Sequence, residues 1–240
     1  MSLESCYEGI AKKYHGIDSY KVVEEVERYR HLWKPGKVRV LLFAESHVRT
    51  SDEDFDHHWS YGSGRAYQGN FLRFVYCLAN GEKDLVQIRS NKGTWQFWLL
   101  LSSCLNNPTD KTTFSSVLRK TTPDFNARMK KKIRLLEDLK KHGIWLLDAS
   151  IVGVNEQKDP IWTRIVRHSW SNHTRSVLEN LNPTPEHIII VGEGVEKTLG
   201  DEVRGLGIAH SVVPQPQARL RDGYSNYHAK CFEICSRFRN

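Results

Sequence analysis

Four short apolar runs recur along the chain, each followed by polar residues. Runs of this length, rich in branched side chains, are typical of strands that are covered on both faces. They are Val38–Ala44, Ile144–Asp148, His187–Val191 and Ile208–Val213.

Segments between these runs carry apolar residues near helical spacing. Asp18 is placed to cap the start of the first helix, and Gly143 is placed to end the helix that precedes the second strand. The predicted helices are Asp18–Trp33, Asn70–Ala79, Thr94–Leu105, a helix ending before Gly143, Trp162–Leu181, Gly194–Val203 and Asn226–Phe238.

Strands that alternate with helices imply crossover connections and a mostly parallel sheet. The pattern therefore predicts an α/β fold, a three-layer α/β/α sandwich with about four mostly parallel strands. Residues 1–37 are expected to form an N-terminal helical extension, and residues 38–240 the α/β domain.

The composition is that of a globular protein, with 240 residues, 39% of them hydrophobic and 26% charged. The five cysteines are scattered, which favours free thiols in a reducing compartment. No apolar run approaches the roughly 20 residues of a membrane helix, and the first residues lack the pattern of a secretion signal. We expect a monomer that is cytoplasmic or nucleoid-associated, without a membrane partner.

The positive charge is concentrated in one stretch. The chain has 35 Lys and Arg against 28 Asp and Glu, a net charge of +7. Residues 111–142 alone hold ten basic and three acidic residues. Such a stretch either attracts a polyanion or forms a solvated helix face.

Several familiar site motifs are incomplete. The run GEGVEKT at 192–198 has Glu196 where a phosphate loop needs glycine. The eleven histidines form no HxxxH pattern, and no GxSxG turn follows a strand. The sequence therefore predicts no metal and no cofactor.

Three polar clusters each follow a predicted parallel strand, and the carboxyl ends of parallel strands share one edge of a sheet. These clusters are AESH at 44–47, DAS at 148–150 and PQPQARLRDGYSNYH at 214–228. Their order and spacing resemble those of the uracil-DNA glycosylase superfamily. In that family one strand ends in GQDPY or GEAPG, a later one in LLN, and a final one opens into HPSP and a basic DNA-penetrating loop.

The resemblance spans roughly residues 38–232 and implies a role for each matching position. Glu45 stands where GEAPG has its glutamate, and Ser46 where GQDPY has its aspartate. Asp148 takes the place of the base-reading asparagine, and Gln215 that of the histidine in HPSP. The family's four-cysteine iron-sulfur cluster is not expected here, because the five cysteines lack a plausible spacing.

The resemblance implies a site for an extruded base. Glu45 would stabilise an oxocarbenium-like sugar, His47 would carry a proton or contact phosphate, and Gln215 would donate to the leaving base. The expected base-binding residues are Asp148, Phe71 and Ser46, and the expected DNA-binding residues are Arg219, Arg221 and Tyr224.

Structural roles stay open for the same positions. Glu45 and Asp148 are suited to capping turns or helices, Phe71 to the core, and the two arginines to a solvated loop.

Three functions follow from these observations. The first is a DNA glycosylase-like enzyme that flips a damaged or modified base and hydrolyses its N-glycosidic bond. The alternative is a catalytically silent nucleic-acid-binding protein with the same fold. The third is an unrelated α/β hydrolase of a small phosphorylated or nucleoside substrate, with negligible affinity for DNA.

Overall fold

The computed structural model describes residues 2–63, 67–217 and 225–239. Its centre is a four-stranded, fully parallel sheet. The strands are β1 (Val40–Ala44), β4 (Ile144–Asp148), β5 (His187–Val191) and β6 (His210–Val213). Their order across the sheet is β4-β1-β5-β6. With helices flanking this sheet, the fold is the expected three-layer α/β/α sandwich.

The two central strands are almost completely buried, as their continuous apolar runs predict. Register places Ala44 opposite Asp148, and Val191 opposite Val213. The carboxyl ends of all four strands therefore lie along one edge of the sheet, and the loops that follow them begin there.

Ten α-helices are found in the described residues, and five of them, α2, α4, α6, α9 and α10 in the list that follows, are close to the expected ones. They are α1 (Leu3–Ala11), α2 (Tyr20–Leu32), α3 (Asp52–Phe55), α4 (Trp95–Ser103), α5 (Lys111–Phe114), α6 (Phe125–Lys141), α7 (Ile161–Ser169), α8 (Arg175–Glu179), α9 (Glu193–Arg204) and α10 (Ser225–Ser236). Trp170–Thr174, a π-helical turn, joins α7 to α8, so the expected helix over 162–181 forms in three pieces.

The basic helix α6 shows how local sequence sets an element. Asp124 accepts a hydrogen bond from the Ala127 N–H at 2.6 Å and caps the start. Gly143 follows the end with φ +73°, and a Cβ there would lie 2.7 Å from the Lys37 carbonyl oxygen. The helix must therefore end where the chain turns into β4.

The predicted helix over 70–79 does not form. Asn70 ends β3 (Gln68–Asn70), which pairs antiparallel with β2 (His58–Ser60), and the residues that follow form irregular turns. Residues 74–79 are all buried, whereas an amphipathic helix would leave one face in solvent. The segment instead fills the core as a buried connection.

The first two helices pack against the α/β domain. Val22, Val26 and Tyr29 of α2 belong to the same hydrophobic cluster as the sheet. Helix α1 places Cys6 and Ile10 in a second cluster with the segment that follows β4. The boundary at residue 37 stays a prediction.

All five cysteines are buried free thiols, as the sequence predicted. In the part of the chain that the structure describes, no helix has the length and apolar character that crossing a membrane requires.

Candidate functional site

Glu45 lies just past β1, and its carboxylate is held from two sides. The Trp162 indole N–H donates to Oε1 at 2.7 Å, and the Gln215 side-chain amide donates to Oε2. Gln215 lies two residues past β6 and Trp162 lies in the first turn of α7. The structure thus brings together two expected site residues that are 170 positions apart.

Gly192 makes room for the Gln215 side chain. It has φ +111°, and a Cβ at this position would lie 2.7 Å from Gln215 Cγ. Any larger residue would be strained by its backbone and would displace the glutamine. Gly192, the first residue of the GEGVEKT run, therefore leaves the space in which the Gln215 side chain reaches Glu45.

A second group of charged side chains, the buried charge network, lies on the other side of β1. It consists of Asp18, Glu27, Arg30, His47 and Asp148. His47 Nε2 lies 3.2 Å from Asp18 Oδ2, and Arg30 Nη2 donates to Asp148 Oδ2 at 2.8 Å. Arg30 also pairs with Glu27.

Asp18 has a different role from the expected helix cap. Ser19 is the residue that precedes α2, and the Asp18 carboxylate accepts from the backbone N–H groups of Thr50 and Gly153 at 2.8 and 2.5 Å. With His47 as a third partner, this carboxylate joins the loops that follow β1 and β4.

The network favours a positively charged His47. Burial alone would lower the pKa of His47, but the Asp18 and Asp148 carboxylates outweigh it and raise the pKa to about 9. Burial also opposes the charged form of both aspartates, yet His47 and Arg30 hold their pKa values below the usual range. At neutral pH the imidazolium is therefore a donor between two carboxylates.

A small cavity adjoins His47 and Asp148. Its volume is about 20 Å³, enough for one water and too little for a nucleobase. His47 Nδ1 lies 3.8 Å from Asp148 Oδ2 and makes no hydrogen bond with any described residue. The residues that line the cavity include Ser46, His47, Arg73, Phe74, Phe97 and Asp148.

The remaining expected site residues have separate outcomes. Ser46 lines the cavity, and its hydroxyl accepts from the Val154 N–H at 3.2 Å. Phe71 is completely buried in the core and does not line the cavity, so the expected stacking platform is misplaced; Phe74 lines it instead. Arg219, Arg221 and Tyr224 lie outside the described residues.

Asp148 also differs from the expected base reader. Its carboxylate is 2% exposed and is paired with Arg30, a residue that the sequence interpretation did not include. An acceptor that is occupied in this way is less available to an amino group of a base. Little in the sequence indicates this pair, because a charged residue in an amphipathic helix is expected to face solvent. Arg30 is instead buried.

Trp162 was missed for a similar reason. Its side chain packs against both hydrophobic clusters, and an aromatic residue at such a position is typical of the core. Only the packing of α7 beside the carboxyl end of β1 gives its indole N–H a carboxylate partner.

Within residues 2–63, 67–217 and 225–239, no group of three or more His, Cys, Asp or Glu side chains is placed to hold a metal ion. Comparisons of the chain with protein-family models, with curated proteins and with solved structures gave no match.

Proposed function

We propose that the protein is a DNA glycosylase-like enzyme that flips a damaged or modified base and hydrolyses its N-glycosidic bond. The observation that carries this proposal is the position of Glu45. Its carboxylate is fixed by Trp162 and Gln215 at the sheet edge, next in sequence to the residues of the His47 cavity.

In the proposed reaction, Glu45 stabilises the positive charge that develops on the sugar and orients the attacking water. The bond between C1′ and the base nitrogen breaks, and the departing base takes the electron pair. The water oxygen bonds to C1′ and loses one proton, and the departing base gains one proton, so the products are the sugar hydroxyl and the neutral base. Two donors on the carboxylate fix its direction before the substrate arrives, which lowers the cost of reorganisation.

Gln215 serves this reaction as a positioning residue. Of the two N–H groups of its side-chain amide, one donates to Glu45 and the other remains for the leaving base. His47 Nδ1 is the donor at the cavity, and the Asp18 and Asp148 carboxylates keep the ring protonated. We assign to His47 the stabilisation of negative charge on the departing base.

A base enters this cavity only if side chains around it move, because the present space takes one water. Phe74 and Phe97 are the aromatic residues that line it. Aromatic faces that separate to receive a flat ring would then stack on it and offset part of the cost of extrusion.

The test is base release from duplex oligonucleotides that carry uracil, hypoxanthine or xanthine, detected as strand cleavage by alkali at the abasic site. Glu45→Gln should lower the rate at least about 100-fold, in line with the loss of one electrostatic stabiliser. The exposed Glu53 of α3 provides the matched control, and Glu53→Gln should keep the full rate. Equal rates for wild type and Glu45→Gln would refute the assignment of Glu45.

The alternative function is nucleic-acid binding without catalysis. It is favoured by two observations, that both Glu45 oxygens already have donors and that the cavity is smaller than a base. It predicts salt-dependent binding that Glu45→Gln leaves intact. A folded protein that binds DNA and releases no base from any of these duplexes would establish the alternative.

A further inference from the structure

A groove beside helix α6, the Lys132 groove, has a volume of about 720 Å³, which is in the range of small-molecule sites. Part of its wall is apolar and includes Trp98, Val117 and Leu118. Lys132 lines it from below, with only 4% of its surface exposed. No residue of the proposed hydrolytic site is among the described residues that line this groove, so it is a separate feature.

Lys132 belongs to a buried group of charges. The Glu82 carboxylate accepts from Lys132 Nζ at 2.6 Å, and also from Arg128 Nη2 at 2.6 Å and Arg128 Nε at 2.9 Å. A further carboxylate, Asp84, lies 3.7 Å from Arg128 Nη2, but its side chain is 47% exposed. Arg128 by itself therefore pairs with Glu82 through two nitrogens, and Lys132 is a second buried cation on the same carboxylate.

The Lys132 amine has more donors than partners. An ammonium has three N–H groups, and among the described residues only Glu82 accepts a hydrogen bond from Nζ. The centre of the Trp98 ring lies 4.7 Å from Nζ and supplies a cation–π contact. An acceptor for the remaining donors can therefore come from a ligand in the groove.

The surroundings of this amine favour its neutral form. Burial lowers the pKa of Lys132, and the Glu82 carboxylate offsets this only in part. Burial opposes the charged form of Glu82 too, but Arg128 and Lys132 outweigh it and hold the Glu82 pKa below its usual range. A desolvated lysine beside a second cation is the setting in which an amine becomes a nucleophile.

Four exposed cations, the rim cations, line the same groove. In the part of the chain that the structure describes, none of their side chains forms a salt bridge or a hydrogen bond, so their charge is not neutralised locally. Glu82 is the one carboxylate among the described lining residues, and it is already paired. Such a set of cations suits a phosphate group. The rim cations are Lys83, Lys92, Arg119 and Lys120.

We propose that the Lys132 groove binds a phosphorylated aldehyde, with the phosphate on the rim cations and the carbonyl carbon joined to Lys132 Nζ as an imine. A phosphate ester without a carbonyl group is the less suitable ligand, because it would use the rim cations and leave the buried amine without a role. The proposal goes beyond the proposed function and does not require base hydrolysis.

The step is redox-neutral and conserves charge. The Lys132 nitrogen loses a proton and bonds to the carbonyl carbon, and the carbonyl oxygen leaves as water. The imine nitrogen then takes up one proton, so that an ammonium and an aldehyde give a protonated imine and water. Because the positive charge stays on the same nitrogen, the Glu82 carboxylate stabilises the product as it stabilises the ammonium.

The test uses pyridoxal 5′-phosphate as the probe, followed by borohydride reduction of the imine and peptide mapping by mass spectrometry. In the wild-type chain the label should lie mainly on Lys132. Pyridoxal, which lacks the phosphate, should require a concentration at least about 10-fold higher, because it forms no charged hydrogen bonds with the rim. Label on the exposed lysines with none on Lys132, or equal labelling by the two probes, would overturn the proposal.

Variants separate the amine from the rim. Lys132→Arg keeps a cation beside Glu82 but cannot form an imine, so the label at this position should be lost. The matched control is Lys130→Arg on the exposed face of α6, which should leave the labelling of Lys132 unchanged. Mapping of the wild-type chain decides the result even where Lys132→Arg is unstable.

The rim is tested by Arg119→Gln combined with Lys120→Gln. This pair should weaken labelling by pyridoxal 5′-phosphate about 10-fold and leave labelling by pyridoxal unchanged, since only the first probe has a phosphate. An equal effect on both probes would refute the role of the rim cations as the phosphate site.

A phosphorylated aldehyde can be a small molecule or an abasic sugar within a DNA strand, and a second probe distinguishes the two sources. Borohydride trapping of Lys132 on an oligonucleotide with an abasic site would assign the aldehyde to DNA, whereas trapping by pyridoxal 5′-phosphate alone would assign a small ligand. Trapping by neither would overturn the proposal. Glu45→Gln should not affect trapping, so the failure of the hydrolytic function and the failure of this proposal are distinguishable.

Discussion

Stability should fall between pH 7.5 and 8.5, because the folded protein holds His47 protonated above the pH at which an unfolded histidine loses its proton. The pKa of His47 is about 9 in the folded state against 6.5 for the free side chain. A raised folded pKa contributes stability that is complete below pH 6.5 and is lost as the pH rises through 9.

The magnitude follows from these two values. The contribution of His47 to the free energy of unfolding is about 2 kcal/mol at pH 7.5 and about 1 kcal/mol at pH 8.5. With an m-value of about 3 kcal/mol/M, a loss of about 1 kcal/mol lowers the urea midpoint by about 0.3 M.

The pH window separates His47 from the other titrating groups. Burial lowers the pKa of three further histidines, so each adds stability as the pH rises, but that gain is nearly complete by pH 7.5. Burial raises the pKa of three thiols, and this costs stability mainly above pH 9. The histidines are His168, His173 and His187, and the three thiols are Cys6, Cys77 and Cys231.

The assay is urea unfolding at pH 7.5 and 8.5, followed by both tryptophan fluorescence and far-UV circular dichroism. His47→Gln should have a lower midpoint and a much smaller pH dependence, whereas the exposed control His57→Gln should show the wild-type dependence. A wild-type midpoint that changes by less than about 0.1 M, or an equal dependence in His47→Gln, would refute the account of the buried charge network.

Three substitutions test other contacts. Asp148→Asn installs the asparagine of the LLN motif, yet it should destabilise the protein by about 1.5–3 kcal/mol in urea unfolding, because it removes one of the two carboxylates that pair with the buried Arg30 guanidinium and leaves only Glu27; a loss below 1 kcal/mol would contradict this. Gly192→Ala should cost about 1–3 kcal/mol of stability, since its backbone has φ +111° and the new Cβ meets Gln215; a wild-type thermal midpoint would show that the site adapts. Trp162→Phe keeps the apolar contact but removes the donor to Glu45, so it should cost about 1 kcal/mol and slow any base release; unchanged values of both would mean that this hydrogen bond does not orient the carboxylate.

The pattern of apolar residues predicted the sheet well. Strands β1, β4 and β5 are buried on both faces and have short apolar sequences, a signal that needs no knowledge of the neighbouring elements, whereas the edge strand β6 is only partly buried. The failure at residues 70–79 has a matching reason, because a segment buried on all sides carries no periodicity that separates a helix from an irregular turn.

The candidate site was predictable only in part. Glu45 and Gln215 follow parallel strands, and the rule that such ends share an edge places them near each other. The partners that define their chemistry come from helices, where spacing gives no information about contact. Trp162 and Arg30 are the clearest examples.

The sequence by itself determined the α/β class, the positions of the strands and the edge at which their polar ends meet, since these depend on local periodicity and on chain direction. Only the tertiary structure decided that Asp18 binds His47 instead of capping a helix, that Arg30 pairs with Asp148, and that Trp162 donates to Glu45. These contacts join residues far apart in the chain, and their energies depend on burial, which a linear pattern does not specify.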